Sequence, residues 1–407
     1  MATTLIPDLT FLDAPTAYPV PRLAPTVVPA GWRRRLLGAR LTAAELQLVL
    51  RRPGRAWGVL RRAEQLRHAY YGEQRPCKIA RVAGRLYREY HVPGWPGAAH
   101  TRYVAATLAR LQPALAAPAP LHTVYLAVTK KCPLACEHCF EWDALNQPEK
   151  LSRADLHELV ARFQARQVSQ IYFTGGEPLL RVPDLVAVLQ QARPGTDFWV
   201  ITSGFHGTLA NMQRLKAAGL TGIVVSLDHH EAARHNAFRG SARAYENALQ
   251  AVAHARQAGL VVCLSVCATR DFTTEANLLA YAHLARQLGV TFVQVLEPKA
   301  VGHYAGQDVA LSTSQVALLD AFYEKMSYDP AYHDWPIVTY YAYHQRRAGC
   351  SGAADWFLYV DTDGDLHACP FCQRKTGSAL ADDFDEALER VRTRACHTFT
   401  PTRYEWQ

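Results

Sequence analysis

Between His122 and Val295 the sequence alternates six short β-branched or apolar runs with five helical stretches, which predicts an α/β fold built around a partial (β/α)6 TIM-like barrel. Two further features extend that expectation. A basic, helix-patterned segment precedes the barrel, and a cysteine-bearing tail with one hairpin signal follows it. With 407 residues and 49% hydrophobic composition the chain can bury one large core and one or two smaller ones. The expected units are a mostly helical N-terminal region over 1–118, the barrel over 119–305, a connecting segment over 306–349 and a small C-terminal cluster domain over 350–407.

Residues 1–30 are rich in Pro and Thr with little periodicity, whereas Leu41–Leu50, Ala56–Tyr71 and Ala99–Leu115 carry apolar positions at helical spacing. The stretch Ala116-Ala117-Pro118-Ala119-Pro120 reads as a boundary. Residues 1–120 hold 18 Arg and Lys against 6 Asp and Glu, a net +12 that leaves −4 on the remainder of a chain of net +8. Such asymmetry suits an anionic partner, such as a phosphorylated substrate, an acidic peptide or a lipid surface, and equally suits a solvated arginine-rich face. No helix-turn-helix pattern or aromatic–basic run is present there, so nucleic acid is not an expected partner, while membrane-surface contact stays open. There is no run of about 18 or more apolar residues and no basic-then-apolar signal layout, so the expected location is cytoplasmic.

The strand candidates are Val124–Val128, Gln170–Phe173, Phe198–Ile201, Gly222–Ser226, Leu260–Val266 and Thr291–Val295. Helical stretches Arg153–Arg166, Asp184–Arg193, Leu209–Ala218, Ala242–Ala258 and Thr274–Leu288 lie between them. Right-handed crossovers gather the loops that follow these strands on one face, where such folds carry their chemistry. After residue 305 the pattern loosens, and Phe357–Val360, Asp361-Thr362-Asp363-Gly364 and Asp365–Ala368 form a hairpin signal too small to continue the barrel.

Ten cysteines in a large chain without an export signal point to metal ligation rather than disulfides, because seven of them fall in two groups. Cys77, Cys263 and Cys267 stand apart and read first as small buried hydrophobes. Directly after the first strand, Lys131-Cys132-Pro133-Leu134-Ala135-Cys136-Glu137-His138-Cys139-Phe140 spaces three thiols as C-x3-C-x2-C. A structural zinc site and an electron-transfer [4Fe–4S] cluster each normally take four protein ligands, whereas three leave one iron open. A zinc knuckle that borrows His138 is the alternative.

At this motif the sequence resembles the radical S-adenosylmethionine (SAM) superfamily. The resemblance implies a [4Fe–4S] cluster on Cys132, Cys136 and Cys139 whose open iron binds the amino and carboxylate groups of SAM, with Phe140 beside it. Thr174-Gly175-Gly176-Glu177-Pro178, 35 residues beyond Cys139 at a strand end, resembles the family's turn that holds the methionine amino group, through Gly175, Gly176 and Glu177. Ile201-Thr202-Ser203-Gly204 is similar to the family's Thr-Asn-Gly, and Val225-Ser226-Leu227-Asp228 to its Ser-Leu-Asp-Gly, so Ser203, Ser226 and Asp228 join the implied SAM contacts. Each serine reads equally well as a strand-end turn residue. His229 stands where the family usually has glycine, and Phe238-Arg239-Gly240 follows. Strand alternation in Val262-Cys263-Leu264-Ser265-Val266-Cys267 puts Cys263, Ser265 and Cys267 on one face, which makes Cys267 a candidate hydrogen-atom donor to a substrate radical. Glu297 and Lys299, after the sixth strand, are either near substrate or part of a surface turn.

In the tail, Cys350, Gly364, Cys369 and Cys372 are spaced C-x13-G-x4-C-x2-C, with Cys396 later. This resembles the auxiliary-cluster extensions called SPASM and Twitch, and four cysteines suit the Twitch version, which implies one auxiliary [4Fe–4S] cluster. A hairpin turning at Asp363-Gly364 would bring Cys350 and Cys369 together. A structural zinc site on the same thiols is the alternative, and the Asp361-Thr362-Asp363-Gly364-Asp365 echo of a calcium loop lacks its closing Glu.

The function implied is reductive cleavage of SAM to a 5′-deoxyadenosyl radical that abstracts hydrogen from substrate, with an external electron donor such as flavodoxin or ferredoxin. Enzymes with this resemblance commonly modify ribosomally made peptides, and others modify small molecules or lipids. The peptide route often brings a leader-binding domain with a three-stranded sheet, whereas residues 31–115 read as helical. An iron–sulfur redox sensor that binds nucleic acid would not need the SAM-pocket motifs.

Overall fold

The computed structural model describes residues 19–50, 53–111, 121–350 and 352–393, so the boundary at 116–120 and Cys396 lie outside the described residues. The N-terminal region contains α1 (Trp32–Leu50), α2 (Pro53–Tyr71), a hairpin of β1 (Ala80–Val82) and β2 (Arg85–Tyr87), and α3 (Ala98–Arg110). The helical expectation therefore needs one correction. Residues 80–87 alternate their burial around Ala83 and Gly84, both at positive φ, and pair as Ala80↔Tyr87 and Val82↔Arg85. Bridges from Val27 to Ala80 and from Trp95 to Leu86 flank the pair. The two-residue Ala83-Gly84 turn between short alternating runs was the local signal.

The six expected strands are all present: β3 (Thr123–Ala127), β4 (Gln170–Thr174), β5 (Asp197–Thr202), β6 (Leu220–Ser226), β7 (Val261–Cys267) and β8 (Phe292–Leu296). They lie side by side in that order, all parallel. Between them run α4 (Arg153–Ala165), α5 (Val182–Gln191), α6 (Leu209–Ala218), α7 (Ala232–Arg239), α8 (Ala244–Gln257) and α9 (Glu275–Gln287). Side chains start several of these helices. Ser152 and Asp155 form a reciprocal capping box on α4, and Thr208 and Thr274 cap α6 and α9.

The sheet does not stop at six strands. The segment 306–349 contributes α10 (Thr313–Tyr328), β9 (Ile337–Tyr340) and α11 (Tyr341–Ala348), and β9 pairs parallel with β8. The tail hairpin, β10 (Phe357–Val360) and β11 (Leu366–His367), joins the opposite side, with β10 parallel to β3. The final order is β11-β10-β3-β4-β5-β6-β7-β8-β9, followed in the chain by α12 (Phe384–Thr393). A strand as short as β10 shows no barrel periodicity of its own, and only its register against Thr123–Leu126 reveals the partnership.

Alternation along the strands builds two cores. Leu126, Phe173, Val200, Val225, Leu264 and Val295 point outward to the helices. Tyr172, Trp199, Val224, Cys263, Phe292 and Ile337 point inward, where Tyr87 and Tyr90 from the N-terminal region close over them. Tyr90 meets the rings of Trp199 at 5.4 Å, Tyr172 at 5.5 Å and Phe292 at 5.8 Å. Arg85 fixes the plug with a two-pronged ion pair to Asp197, at 2.7 and 3.1 Å, where β5 begins. The barrel is thus filled at the N-terminal ends of its strands, and its chemistry belongs at the other end. Among the described residues no helix is long and apolar enough to cross a membrane.

Phe292 is wholly buried between the plug and the barrel. Phe292→Ala is expected to cost about 3–5 kcal/mol of stability, read as a lowered midpoint in urea unfolding.

Candidate functional site

The loop 131–140 leaves β3 at its C-terminal end and is held by the loops after β4 and β8 and by the end of α7, which follows β6. Glu177 N donates to Lys131 O at 2.8 Å, Glu137 N to Phe238 O at 3.0 Å, and His303 N to Cys139 O at 2.9 Å. Asn146 closes the near side, its Oδ1 accepting from Cys132 N and its Nδ2 donating to Cys132 O, both at 3.1 Å. Two glycines let the neighbours approach. A Cβ at Gly176 would lie 2.3 Å from Lys131 O, and one at Gly302 would lie 2.2 Å from Cys139 O. The His303 ring stacks on Trp142 at 3.7 Å and its Nδ1 lies 3.0 Å from Cys136 O.

Cys136 is buried, and Cys132 and Cys139 are half-buried. Burial pushes the Cys132 thiol up to about 11 and the Cys139 thiol up to about 12, so both stay protonated at neutral pH unless a metal takes the proton's place. Among the described residues, no three donors drawn from Cys132, Cys136, Cys139 and His138 lie within 4.8 Å of one another. A tetrahedral zinc with Zn–S bonds of about 2.3 Å would draw its sulfurs to within about 4 Å. His138 instead stacks on Phe238 at 4.8 Å, so the zinc-knuckle arrangement is not formed.

Glu177 is wholly buried and saturated. Its Oε1 accepts from Leu179 N at 3.0 Å and Thr202 Oγ1 at 2.7 Å, and its Oε2 from Ser203 N at 2.9 Å and Ser203 Oγ at 2.5 Å. Burial raises its pKa, against the pull of these hydrogen bonds. The carboxylate therefore braces the ends of β4 and β5, while Gly175 and Gly176 pack close against the backbone of Thr129 and Lys131 and Ser203 is half-buried beside them. Asp228 is similarly engaged: Oδ1 accepts from Cys267 N at 2.9 Å, and Oδ2 meets Arg239 at 2.5 and 2.6 Å. Burial works against ionisation there, yet the Arg239 guanidinium holds the Asp228 carboxyl below its ordinary value. Arg239 also reaches Cys136 Sγ, at 3.5 Å. The sequence singled out Cys136 and Asp228 but not the arginine that joins them, and its only local trace is Phe238-Arg239-Gly240.

Cys267 is buried at the inward end of β7, and burial raises its thiol pKa. Below it, Ser226 and Ser265 lie in register and Ser265 Oγ donates to Gln294 Oε1 at 3.1 Å, a polar layer between the strand-end loops and the aromatic floor. Glu297 accepts from Tyr340 Oη at 2.6 Å and Arg346 at 2.7 Å, with Lys299 at 3.5 Å. His229 folds back on its own loop, its Nδ1 accepting from Glu231 N at 2.9 Å and its ring stacked on His230.

Phe140 turns toward the tail rather than into the loop, its ring 5.7 Å from Tyr359 and 6.1 Å from Phe371. The hairpin returns the backbone beside residues 352–353: Ala353 N donates to Ala368 O at 2.7 Å and Cys372 N to Cys369 O at 3.0 Å, with Cys350 Sγ accepting from Gly352 N at 3.4 Å. No three donors that include these thiols fall within 4.8 Å among the described residues. Asp361, Asp363 and Asp365 do cluster, and Lys375 pairs with all three while Lys130 and Lys150 reach Asp363.

Residues 126–283 match the Radical SAM superfamily. The AdoMet-dependent heme synthase of Nitratidesulfovibrio vulgaris is 31% identical over 285 residues, which cover 64% of this chain and 76% of the synthase. The chain belongs to the radical SAM superfamily. The mycofactocin maturase MftC of Mycobacterium tuberculosis is 29% identical over 63% of this chain and 66% of the maturase. Among solved structures, Streptococcus suis SuiB bound to its precursor peptide SuiA superposes with a TM-score of 0.54 at 10% identity, covering 72% of this chain and 71% of SuiB. The anSMEcpe structure with bound AdoMet gives 0.51 at 14% identity, over 67% and 82%. As a radical SAM enzyme the chain works with a [4Fe–4S] cluster and SAM, and the three strand-end thiols fit the cluster in donor chemistry.

Both Glu177 oxygens face a backbone N–H, so Glu177→Gln must turn its amide NH2 against one of them whichever way it flips. A loss of about 1–3 kcal/mol is expected, measured by chemical unfolding of the purified variant.

Proposed function

We propose that this radical SAM enzyme matures a ribosomally made peptide, with Cys132, Cys136 and Cys139 holding the SAM-binding cluster and Cys350, Cys369, Cys372 and Cys396 an auxiliary one. The observation that carries the assignment is the pinned three-thiol loop at the C-terminal end of β3, facing the backbone of Gly175 and Gly176. When bound, the cluster supplies the electron that cleaves the SAM sulfonium bond and yields the 5′-deoxyadenosyl radical that abstracts substrate hydrogen.

The chain's own groups prepare the surroundings. Arg239 donates toward Cys136 Sγ, a hydrogen bond that favours negative charge on the sulfur, while Asp228 holds the guanidinium in place. Ser203 and Ser226 border the space for the ribose and carboxylate of SAM, and the buried Cys267 keeps an S–H directed into the barrel as a hydrogen-atom donor. Phe140, next to Cys139, packs against Tyr359 and against Phe371, which lies between Cys369 and Cys372, and these rings would offer an electron a route between the two cysteine sets. An external donor such as flavodoxin or ferredoxin would then reload the system.

The peptide reading is supported by MftC, a maturase, and by a fold shared with SuiB bound to its precursor peptide. A small-molecule substrate is the second reading, favoured by the heme synthase relative. Anaerobic incubation with SAM and dithionite is expected to release 5′-deoxyadenosine, and Cys132→Ala to abolish it. A mass change in a peptide encoded beside the gene supports the peptide reading, and SAM cleavage with no change in any such peptide removes it. If Cys267 donates hydrogen, Cys267→Ala alters product or turnover, and an unchanged pair excludes that role.

Arg239→Lys retains a charge for Asp228 but cannot span both partners. The midpoint potential of the SAM-binding cluster is expected to fall by tens of millivolts, read by EPR-monitored redox titration, whereas an unchanged potential would show that the arginine only supports the fold.

A further inference from the structure

The outward side of α1 (Trp32–Leu50) carries an apolar row that no described residue covers. Trp32, Leu36, Leu46 and Leu50 are 69%, 50%, 39% and 52% exposed, and Ala39 and Ala43 between them are exposed as well. The six positions are spaced alternately by four and three residues. At the α-helical pitch they fall within an arc of about 80° and run about 27 Å along the helix. The opposite side of α1 is already occupied: Leu41 is buried, Gly38 O accepts from Arg88 at 2.8 Å, and Arg34 donates to His333 O at 2.9 Å. A surface helix needs one apolar side to join the core, and α1 has a second one left open.

The edges of the row are basic. Arg33, Arg40 and Gln47 stand along one edge and Arg35 and Thr42 along the other, all exposed. In heptad terms the row fills the a and d positions, and these neighbours fill the e and g positions that set the choice of partner. Among the described residues no carboxylate pairs with Arg33, Arg35 or Arg40, and the Arg33 guanidinium lies over the Trp32 ring at 5.4 Å.

Three occupants suit an open apolar row in principle, and the chemistry of this one separates them. A second copy of the chain would bring arginine to arginine, Arg35 against Arg40 in parallel pairing and Arg40 against Arg40 in antiparallel pairing about the middle of the helix. A lipid surface takes a helix with a broad and bulky apolar face, whereas this row is as narrow as a coiled-coil seam and has alanine at its centre. Ala39 and Ala43 favour a helix, because small side chains at the contact let a second backbone come close. We propose that α1 is the docking seam for an acidic amphipathic helix of another polypeptide, with aliphatic side chains against the row and Glu or Asp opposite Arg33, Arg35 and Arg40. The inference holds whether the enzyme modifies a peptide or a small molecule.

The test uses the full-length, cluster-loaded protein and two synthetic three-heptad peptides with Ile and Leu at a and d. One carries Glu at e and g, the other Lys, and binding is followed by fluorescence anisotropy. Saturable binding of the Glu peptide is expected, with the Lys peptide at least about tenfold weaker. Leu36→Glu puts a charge into the seam at a position already half open to water, and is expected to weaken the Glu peptide about tenfold or more. Changing Arg35→Glu and Arg40→Glu together keeps the apolar row and is expected to reverse the preference between the peptides. No saturable binding of the Glu peptide, equal binding of both peptides, or an affinity that neither variant alters would each overturn the proposal. A dimer in analytical ultracentrifugation that Leu36→Glu dissociates would overturn it in favour of a second copy. Flotation with phosphatidylcholine–phosphatidylserine vesicles that the same variant abolishes would overturn it in favour of a lipid surface.

Discussion

The structure turns on the backbone hydrogen bonds that fasten residues 131–140 to two other strand-end loops and to the end of α7. A ten-residue loop with three cysteines has no reason of its own to present them together, and the ordering entropy of such a segment is about 1–2 kcal/mol per residue for backbone alone. Lys131, Glu137 and Cys139 each meet a different one of these elements, so the cost is shared by a rigid parallel sheet below. Gly176 and Gly302 matter for the same reason, since a methyl group at either would collide with the loop's carbonyls. The loop that carries the three thiols is thus fixed by backbone contacts of its own.

The barrel is divided along its axis by residue type. Aromatic and aliphatic side chains from β4 to β9 fill the N-terminal half, and Tyr87 and Tyr90 cap them. Ser226, Ser265 and Gln294 form the layer above, followed by Cys267 and the loops.

Local patterning carried a large part of this architecture. All six barrel strands and five of the six helices between them follow from period and turn residues, whereas the eight-residue α7 was too short to show a period. The cysteine triplet and the Gly175-Gly176 turn were equally legible, being short motifs on contiguous residues. What escaped is non-local. Arg239 sits 103 residues from the sulfur it contacts, and β10 is recognised as a barrel neighbour only through its register with β3. The hairpin at 80–87 was hidden by an arginine-rich context, and the saturation of Glu177 depends on Thr202 and Ser203, which approach it only when β4 and β5 are paired.

The position of β3 has a consequence for biogenesis. One of its neighbours, β4, arrives some 47 residues later, but the other, β10, pairs Phe357 with Thr123 across 234 residues of chain. Until residues 357–360 have left the ribosome, the strand that leads into the cysteine loop keeps one raw edge, an invitation to mispairing that chaperones commonly shield. Because residues 369 and 372 follow just behind β10, closing that edge and delivering the tail's hairpin to the sheet are one late event of folding.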